Sequence, residues 1–276
     1  MMAKKLGICL TGGGARGGYQ IGALKALEDL GILKDVKAYA GTSIGSANAA
    51  VVASRSVDKA KDVWLNLPDD SIPKNAYQTE VKDDTKKRLI DMERGIYSLK
   101  TFEDTIIKAV DFKALKKKEV YATISHGGDA DEGIFDLMRS SFAHYIKKEA
   151  KVYYMPLHEL DAVKVQKSIV ASCSIPVLFA PVTLEAKKYY DGGMFDNIPI
   201  KPLIDSGCDE IIIIHLHKHR FYKPQTLAPK VLFHEIKHVE GYLGRVMHFS
   251  KEHTLKLYEL GYQDTMQYFK KQEGEG

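Results

Sequence analysis

Lys5-Leu6-Gly7-Ile8-Cys9-Leu10 leads through Thr11 into Gly12-Gly13-Gly14-Ala15-Arg16-Gly17-Gly18, and Val36-Lys37-Ala38-Tyr39-Ala40 leads into Gly41-Thr42-Ser43-Ile44-Gly45. The first run is short and nearly all apolar, as strands buried on both faces are. After its glycines, Ile21, Leu24, Leu27 and Leu30 recur at helical spacing and stop at Gly31, a suitable residue just past a helix end. After the second bend, small and apolar residues from Ser46 to Ala53 suit a helix packed tightly in a core. Strand, glycine turn and helix, twice over, argue for an α/β fold with a parallel sheet and crossover helices.

Outward from there, strand-like runs return at Val120 to Ser125, Val152 to Leu157 and Ile211 to Leu216. Ala162 to Cys173 reads as a helix stopped near Pro176. Residues 58–118 are rich in Lys and Asp and read as a helical insertion or cap, with Thr101 and Asp104 as a capping box. About 227–272 reads as a helical C-terminal region, broken near Gly241, Gly244 and Gly261. No repeat or clean linker divides the chain, so 1–276 is expected to form a single domain, with its core motifs within 5–215.

The 276 residues carry 40 Lys plus Arg against 36 Asp plus Glu, with 45% hydrophobic residues. These values exclude wholesale disorder, collagen and a coiled-coil rod. Basic residues are scattered without aromatic interleaving, so no nucleic-acid partner is expected. Cys9, Cys173 and Cys208 are too few and too far apart for a disulfide framework. No stretch reaches 18 apolar residues. The expectation is a cytoplasmic protein whose membrane contact, where it occurs, is peripheral; the oligomeric state is left open.

Gly41-Thr42-Ser43-Ile44-Gly45 is a G-x-S-x-G. A nucleophilic serine needs a sharp strand-to-helix bend that lifts its hydroxyl clear, and glycines at both flanks relieve the crowding. An ordinary turn with a capping serine gives the same letters. Gly12-Gly13-Gly14-Ala15-Arg16-Gly17 matches a dinucleotide fingerprint, yet the second strand ends Tyr39-Ala40-Gly41, with no carboxylate for a ribose. Such a loop can instead aim N–H groups at an oxyanion, joined by that of Ile44. Arg16 either ties the loop down through backbone carbonyls or lies near the oxyanion. Asp191-Gly192-Gly193 places a carboxylate on a tight loop, either as a plain turn residue or as the acceptor of the Ser43 proton.

In this order the three stretches resemble the patatin-like phospholipase family. The likeness extends to Ala171-Ser172-Cys173-Ser174-Ile175-Pro176 with Phe179 and Pro181, and to Asn197 and Pro199. It covers roughly residues 5–215 and is loose over 58–150. The resemblance implies a three-layer α/β/α sandwich with a mostly parallel central sheet. It also implies hydrolysis of lipid acyl esters by a Ser43–Asp191 dyad through an acyl-enzyme. Gly12, Gly13, Gly14, Ala15, Arg16 and Gly17 would form the oxyanion hole, and Gly41, Gly45, Gly192 and Gly193 would support the motifs. No cofactor and no metal would be needed, and the partner would be a lipid ester. Apolar side chains from 58–150 and around Val177 to Phe179 would line the acyl pocket.

Three rivals stand beside this reading. His234-Glu235-Ile236-Lys237-His238 is an H-E-x-x-H, which on a helix sets two zinc ligands on one face, with Glu259 as a third. A Ser-Asp-His order would use His215, His217 or His219 as base. A non-catalytic lipid-binding module on the same fold is the third. Lys113 to Lys118 holds four lysines that are either a solvated surface or a contact for anionic headgroups.

Overall fold

In a computed structural model, the described residues are 4–69, 72, 95–129, 152–217, 222–239 and 243–274. In chain order they form β1 (Leu6–Leu10), α1 (Gly18–Asp29), β2 (Val36–Thr42), α2 (Ile44–Ser54), α3 (Val57–Leu65), α4 (Lys100–Ala109) and α5 (Phe112–Leu115). There follow β3 (Glu119–Asp129), β4 (Val152–Pro156), α6 (Ala162–Cys173), β5 (Val182–Leu184), β6 (Lys187–Asp191) and α7 (Lys201–Asp205). The described chain ends with β7 (Glu210–Ile214), α8 (Pro224–Leu227), β8 (Leu232–Ile236) and α9 (Lys251–Gly274).

A strand without polar residues has no face to show to water, and both faces of β1 are covered. Side chains alternate across a sheet, so Leu6, Ile8 and Leu10 enter one core and Cys9 enters another. The isoleucines of β7 divide the same way, Ile212 and Ile214 to the first core, Ile211 and Ile213 to the second. The first core is roofed by helices α1 to α6 and α9; the second, smaller one is closed by Leu203 of α7, Ala228 and Val231. This is the expected three-layer α/β/α arrangement.

The sheet runs β5-β6-β3-β2-β1-β7-β8, with β4 also paired to β3. The pairs β1–β2, β1–β7, β2–β3 and β7–β8 are parallel; β3–β4, β3–β6 and β5–β6 are antiparallel. The mixed part positions the site. On one edge of β3, β2 pairs as far as Thr42 opposite Thr123. On that same edge β6 takes over from the opposite direction, with Asp191 opposite Ile124. β4 occupies the other edge at these residues. The two strands therefore meet head to head, bringing Asp191 to the bend that follows Thr42.

Two expectations are corrected. The apolar spacing read as helix over 227–272 includes β8, whose five residues pair in parallel with β7, Ile236 opposite Ile214. Leu232, Ile236 and the residues after them therefore do not share a helix face. The helix starts only at Lys251, where Ser250 Oγ accepts the His253 N–H in the manner of an N-cap. The Thr101–Asp104 capping box is also absent: α4 begins after Leu99, Thr101 lies inside it, and Asp104 instead pairs with Lys100 at 2.7 Å. Within 58–118 the described residues form α3, α4 and α5 on the first core; most of 70–94 lies outside the described residues.

Candidate active site

Ser43 sits at the junction of β2 and α2 with φ 55° and ψ −130°. A side chain rarely adopts this left-handed backbone, which costs on the order of 1–3 kcal/mol. The flanking glycines make the bend possible: a Cβ on Gly41 would lie 2.3 Å from the Gly45 carbonyl, and one on Gly45 would lie 2.2 Å from the Leu10 carbonyl oxygen. The bend is clamped by its neighbours. Ser43 donates its N–H to Ser172 Oγ at 2.9 Å, and Ser172 Oγ donates to the Thr123 carbonyl at 2.8 Å. The Ser43 carbonyl accepts from Ser46 Oγ at 2.7 Å.

Asp191 ends β6 and is 4% exposed. Its backbone is held on both sides: the N–H donates to the Ser174 carbonyl and the carbonyl accepts from Ser125 Oγ, each at 2.9 Å. Its carboxylate accepts the Gly193 N–H at 2.7 Å and feels a second donor, the Ser43 hydroxyl, which borders the same cavity. Burial pushes its pKa up to about 6, against the lowering effect of those two donors. The group is thus ionised at neutral pH yet is a stronger base than an ordinary aspartate.

The glycine loop divides by hydrogen bonding. The Gly12 N–H is taken by Asn197 Oδ1 at 3.1 Å, the Ala15 N–H by the Val246 carbonyl at 2.7 Å, and the Arg16 N–H by the Gly13 carbonyl at 3.3 Å. Gly13 and Gly14 bond no acceptor through their N–H groups among the described residues. Ile44, as the first residue of α2, has no partner inside the helix. Of the loop residues expected to form an oxyanion hole, Gly12, Ala15 and Arg16 thus have their N–H groups occupied, whereas Gly13 and Gly14, like Ile44, do not. Arg16 ties the loop down through carbonyls: Nε donates to Gly244 O at 2.9 Å and Nη1 to Leu216 O at 3.3 Å.

Gly12, Gly13, Gly14, Ser43, Asp191, Gly193 and Asn197 border one cavity of about 510 Å³. An apolar slot opens beside Ser43, lined by Leu99, Phe102, Ile175, Phe179, Val246 and Phe249. Leu99, Phe102 and Phe179 come from the stretches expected to line an acyl pocket. Val246 and Phe249 come from the segment misread as helix, and 130–151 lies outside the described residues. Asn197 carries a role its position in the sequence does not announce, because its bond to Gly12 spans 185 residues.

The rival sites do not assemble. His234 lies on strand β8 and is bonded to Glu210 at 2.9 Å and to Tyr268 Oη at 3.2 Å. His238 faces Asp264 at 3.0 Å. Two residues four apart share a face on a helix, but here the second lies past the end of a strand. Among the described residues no three His, Cys, Asp or Glu side chains are grouped to hold a metal ion. His215 is bonded to Glu235 at 3.0 Å. His217 does line the cavity, with Nδ1 2.8 Å from Arg16 Nη1; His219 lies outside the described residues.

Fold and site together define an α/β/α protein in which a strained serine bend and a buried carboxylate border one cavity. The chain belongs to the patatin-like phospholipase family, whose model matches residues 8–204. It is 28% identical over 227 residues to the lysophospholipase nte1 of Aspergillus terreus and 26% identical over 226 residues to the lysophospholipase NTE1 of Saccharomyces cerevisiae. Each match covers 78% of this chain but only 12% and 11% of the relative's length. The crystal structure of VipD from Legionella pneumophila is similar over 97% of this chain and 67% of that one, with TM-score 0.52 and 14% identity. Human GIVD cytosolic phospholipase A2 is similar over 96% of this chain and 59% of that one, with TM-score 0.50 and 10% identity. At such identities the two structures speak for the fold alone. Among the described residues no helix is long and apolar enough to cross a membrane.

Proposed function

We propose that this chain is a serine hydrolase of lipid acyl esters, with lysophospholipids as its substrate class. The observation that carries the reading is that Ser43, on its strained bend, and a buried Asp191 whose pKa is about 6 border the same cavity. A carboxylate of ordinary basicity is a poor acceptor for a hydroxyl proton; burial narrows that gap. Membership of the family and the named lysophospholipase relatives support the substrate class.

Ser43 Oγ attacks the ester carbonyl carbon as its proton passes to Asp191. The carbonyl oxygen takes up the negative charge against the N–H groups of Gly13, Gly14 and Ile44. Each such donor contributes about 3–4 kcal/mol to the transition state. The C–O bond then breaks, the alcohol leaves with the proton from Asp191, and the acyl group stays on Ser43. Asp191 next accepts a proton from water as the water oxygen attacks the acyl carbon; the acyl–Oγ bond then breaks, Asp191 returns that proton to Ser43 Oγ, and the fatty acid leaves. The apolar slot holds the acyl chain. The enzyme acts in the cytoplasm and meets lipid surfaces peripherally.

Labelling with a fluorophosphonate followed by peptide mapping tests this directly. A single adduct on Ser43, absent in Ser43→Ala and weakened in Asp191→Asn, is expected. An unlabelled protein that retains lipid without turnover would instead identify a binding module.

A further inference from the structure

Six lysines, Lys5, Lys34, Lys37, Lys116, Lys117 and Lys118, border one concavity of about 480 Å³ in which Glu119 is the only carboxylate lining. They come from three separate parts of the chain, at the starts of β1, β2 and β3. With Glu119 their net charge is +5, whereas the whole chain carries +4, so everything else sums to −1. The lining thus carries a local excess of positive charge as large as that of the whole chain.

Little inside the protein offsets it. Lys5 Nζ is held by Glu119 at 2.6 Å and the Ser206 carbonyl at 2.7 Å. Lys118 Nζ is held by the Val36 carbonyl at 2.8 Å and lies 5.5 Å from the centre of the Tyr39 ring. Two further acids touch its lining without reaching the other lysines: Glu159 lies 3.6 Å from His158, and Asp209 takes the Lys5 main-chain N–H at 3.0 Å. Among the described residues, Lys34, Lys37, Lys116 and Lys117 form no ion pair. Burial, and the charge of Lys37 beside it, hold the Lys118 ammonium below the usual lysine range.

We propose that this basic bowl is a binding site for a compact polyphosphate anion free in solution. Several phosphates in a small volume match several ammoniums around one hollow, two of them already fixed in place. Position argues against a membrane headgroup as the source. The bowl lies at the N-terminal ends of the strands whose C-terminal ends carry the glycine loop and Ser43. The seven residues of β2 alone set the two about 20 Å apart. A bilayer resting on the bowl leaves the Ser43 cavity at the far pole of the sheet.

Isothermal titration calorimetry with tripolyphosphate at low ionic strength tests the site. The full chain is expected to bind it, and K37E/K117E, which lowers the bowl from +5 to +1, is expected to weaken binding by at least about tenfold. K270E, at an exposed lysine on α9, should bind as the parent does. The milder K37Q/K117Q variant should weaken binding to an intermediate degree, and serves if the charge reversal fails to fold. No binding by the parent, or an equal loss in K270E, overturns the site. Binding to phosphatidylcholine vesicles doped with a phosphoinositide, without binding of free tripolyphosphate, overturns the soluble ligand.

Discussion

Asp191→Asn is expected to make the protein more stable at neutral pH while stopping its turnover. The side chain is buried, and its pKa rises from an ordinary 3.8 to about 6. At about 1.4 kcal/mol per tenfold change in proton affinity, holding this carboxylate ionised in the fold costs about 3 kcal/mol. The sign follows from proton counting. Between pH 3.8 and about 6 the folded state binds more protons than the unfolded state, so stability falls as pH rises through that window and stays lower above it. Asparagine has the same shape, keeps an oxygen for the Gly193 N–H, and carries no charge. The variant should therefore match the parent near pH 3.5 and exceed it by up to about 3 kcal/mol at pH 7.5. In a thermal scan this is on the order of 6 °C for a chain of this size. Urea unfolding of both proteins at the two pH values gives the difference directly. A difference that does not change with pH, or a variant less stable than the parent at pH 7.5, refutes the reasoning. In parallel, kcat/KM of the parent on a short-chain nitrophenyl ester should rise through about pH 6 and level off, as the base ionises.

Asn197→Ala frees the Gly12 N–H and loosens the glycine loop; kcat on the same ester should fall by about tenfold with KM little changed, since the loss concerns the developing oxyanion. Gly14→Ala places a Cβ 2.3 Å from the Val246 carbonyl oxygen at a φ of +57°, so both kcat and thermal stability should drop sharply. His234→Ala should leave ester turnover intact and cost about 1–3 kcal/mol in urea unfolding, because Glu210 loses its partner. Loss of turnover together with loss of bound zinc in that variant would restore the metal reading.

Much of this was legible in the letters because the physical constraint was local. Leu6 to Leu10 has no polar residue, so it had to be covered on both faces; Gly41 and Gly45 flank Ser43 because the bend leaves no room for a Cβ. The segment around His234 misled for an equally physical reason. Its apolar residues satisfy helical spacing, but β8 is fixed by parallel pairing to β7, a contact more than 20 residues away that periodicity does not encode. The roles of Asn197, Ser172 and Val246 are hidden in the same way, each reaching a main-chain group of the site from a distant part of the chain.

What makes the site possible is a topological fact the motifs do not contain. A serine after a parallel strand and an aspartate after an antiparallel one could each sit at any edge of a sheet. They face one another because β2 and β6 approach along one edge of β3 from opposite directions and stop at Thr123 and Ile124. Both strand ends are then fixed by main-chain pairing rather than by side-chain contact. Ser172 and Ser174, at the end of α6, hold the two backbones from the same side through Ser43 N–H and Asp191 N–H. A strained serine and a buried, partly destabilised carboxylate can persist there because neither geometry depends on their own interaction. It follows that exchanging either side chain should alter chemistry and stability without moving the other, which is why the asparagine variant reports on charge alone.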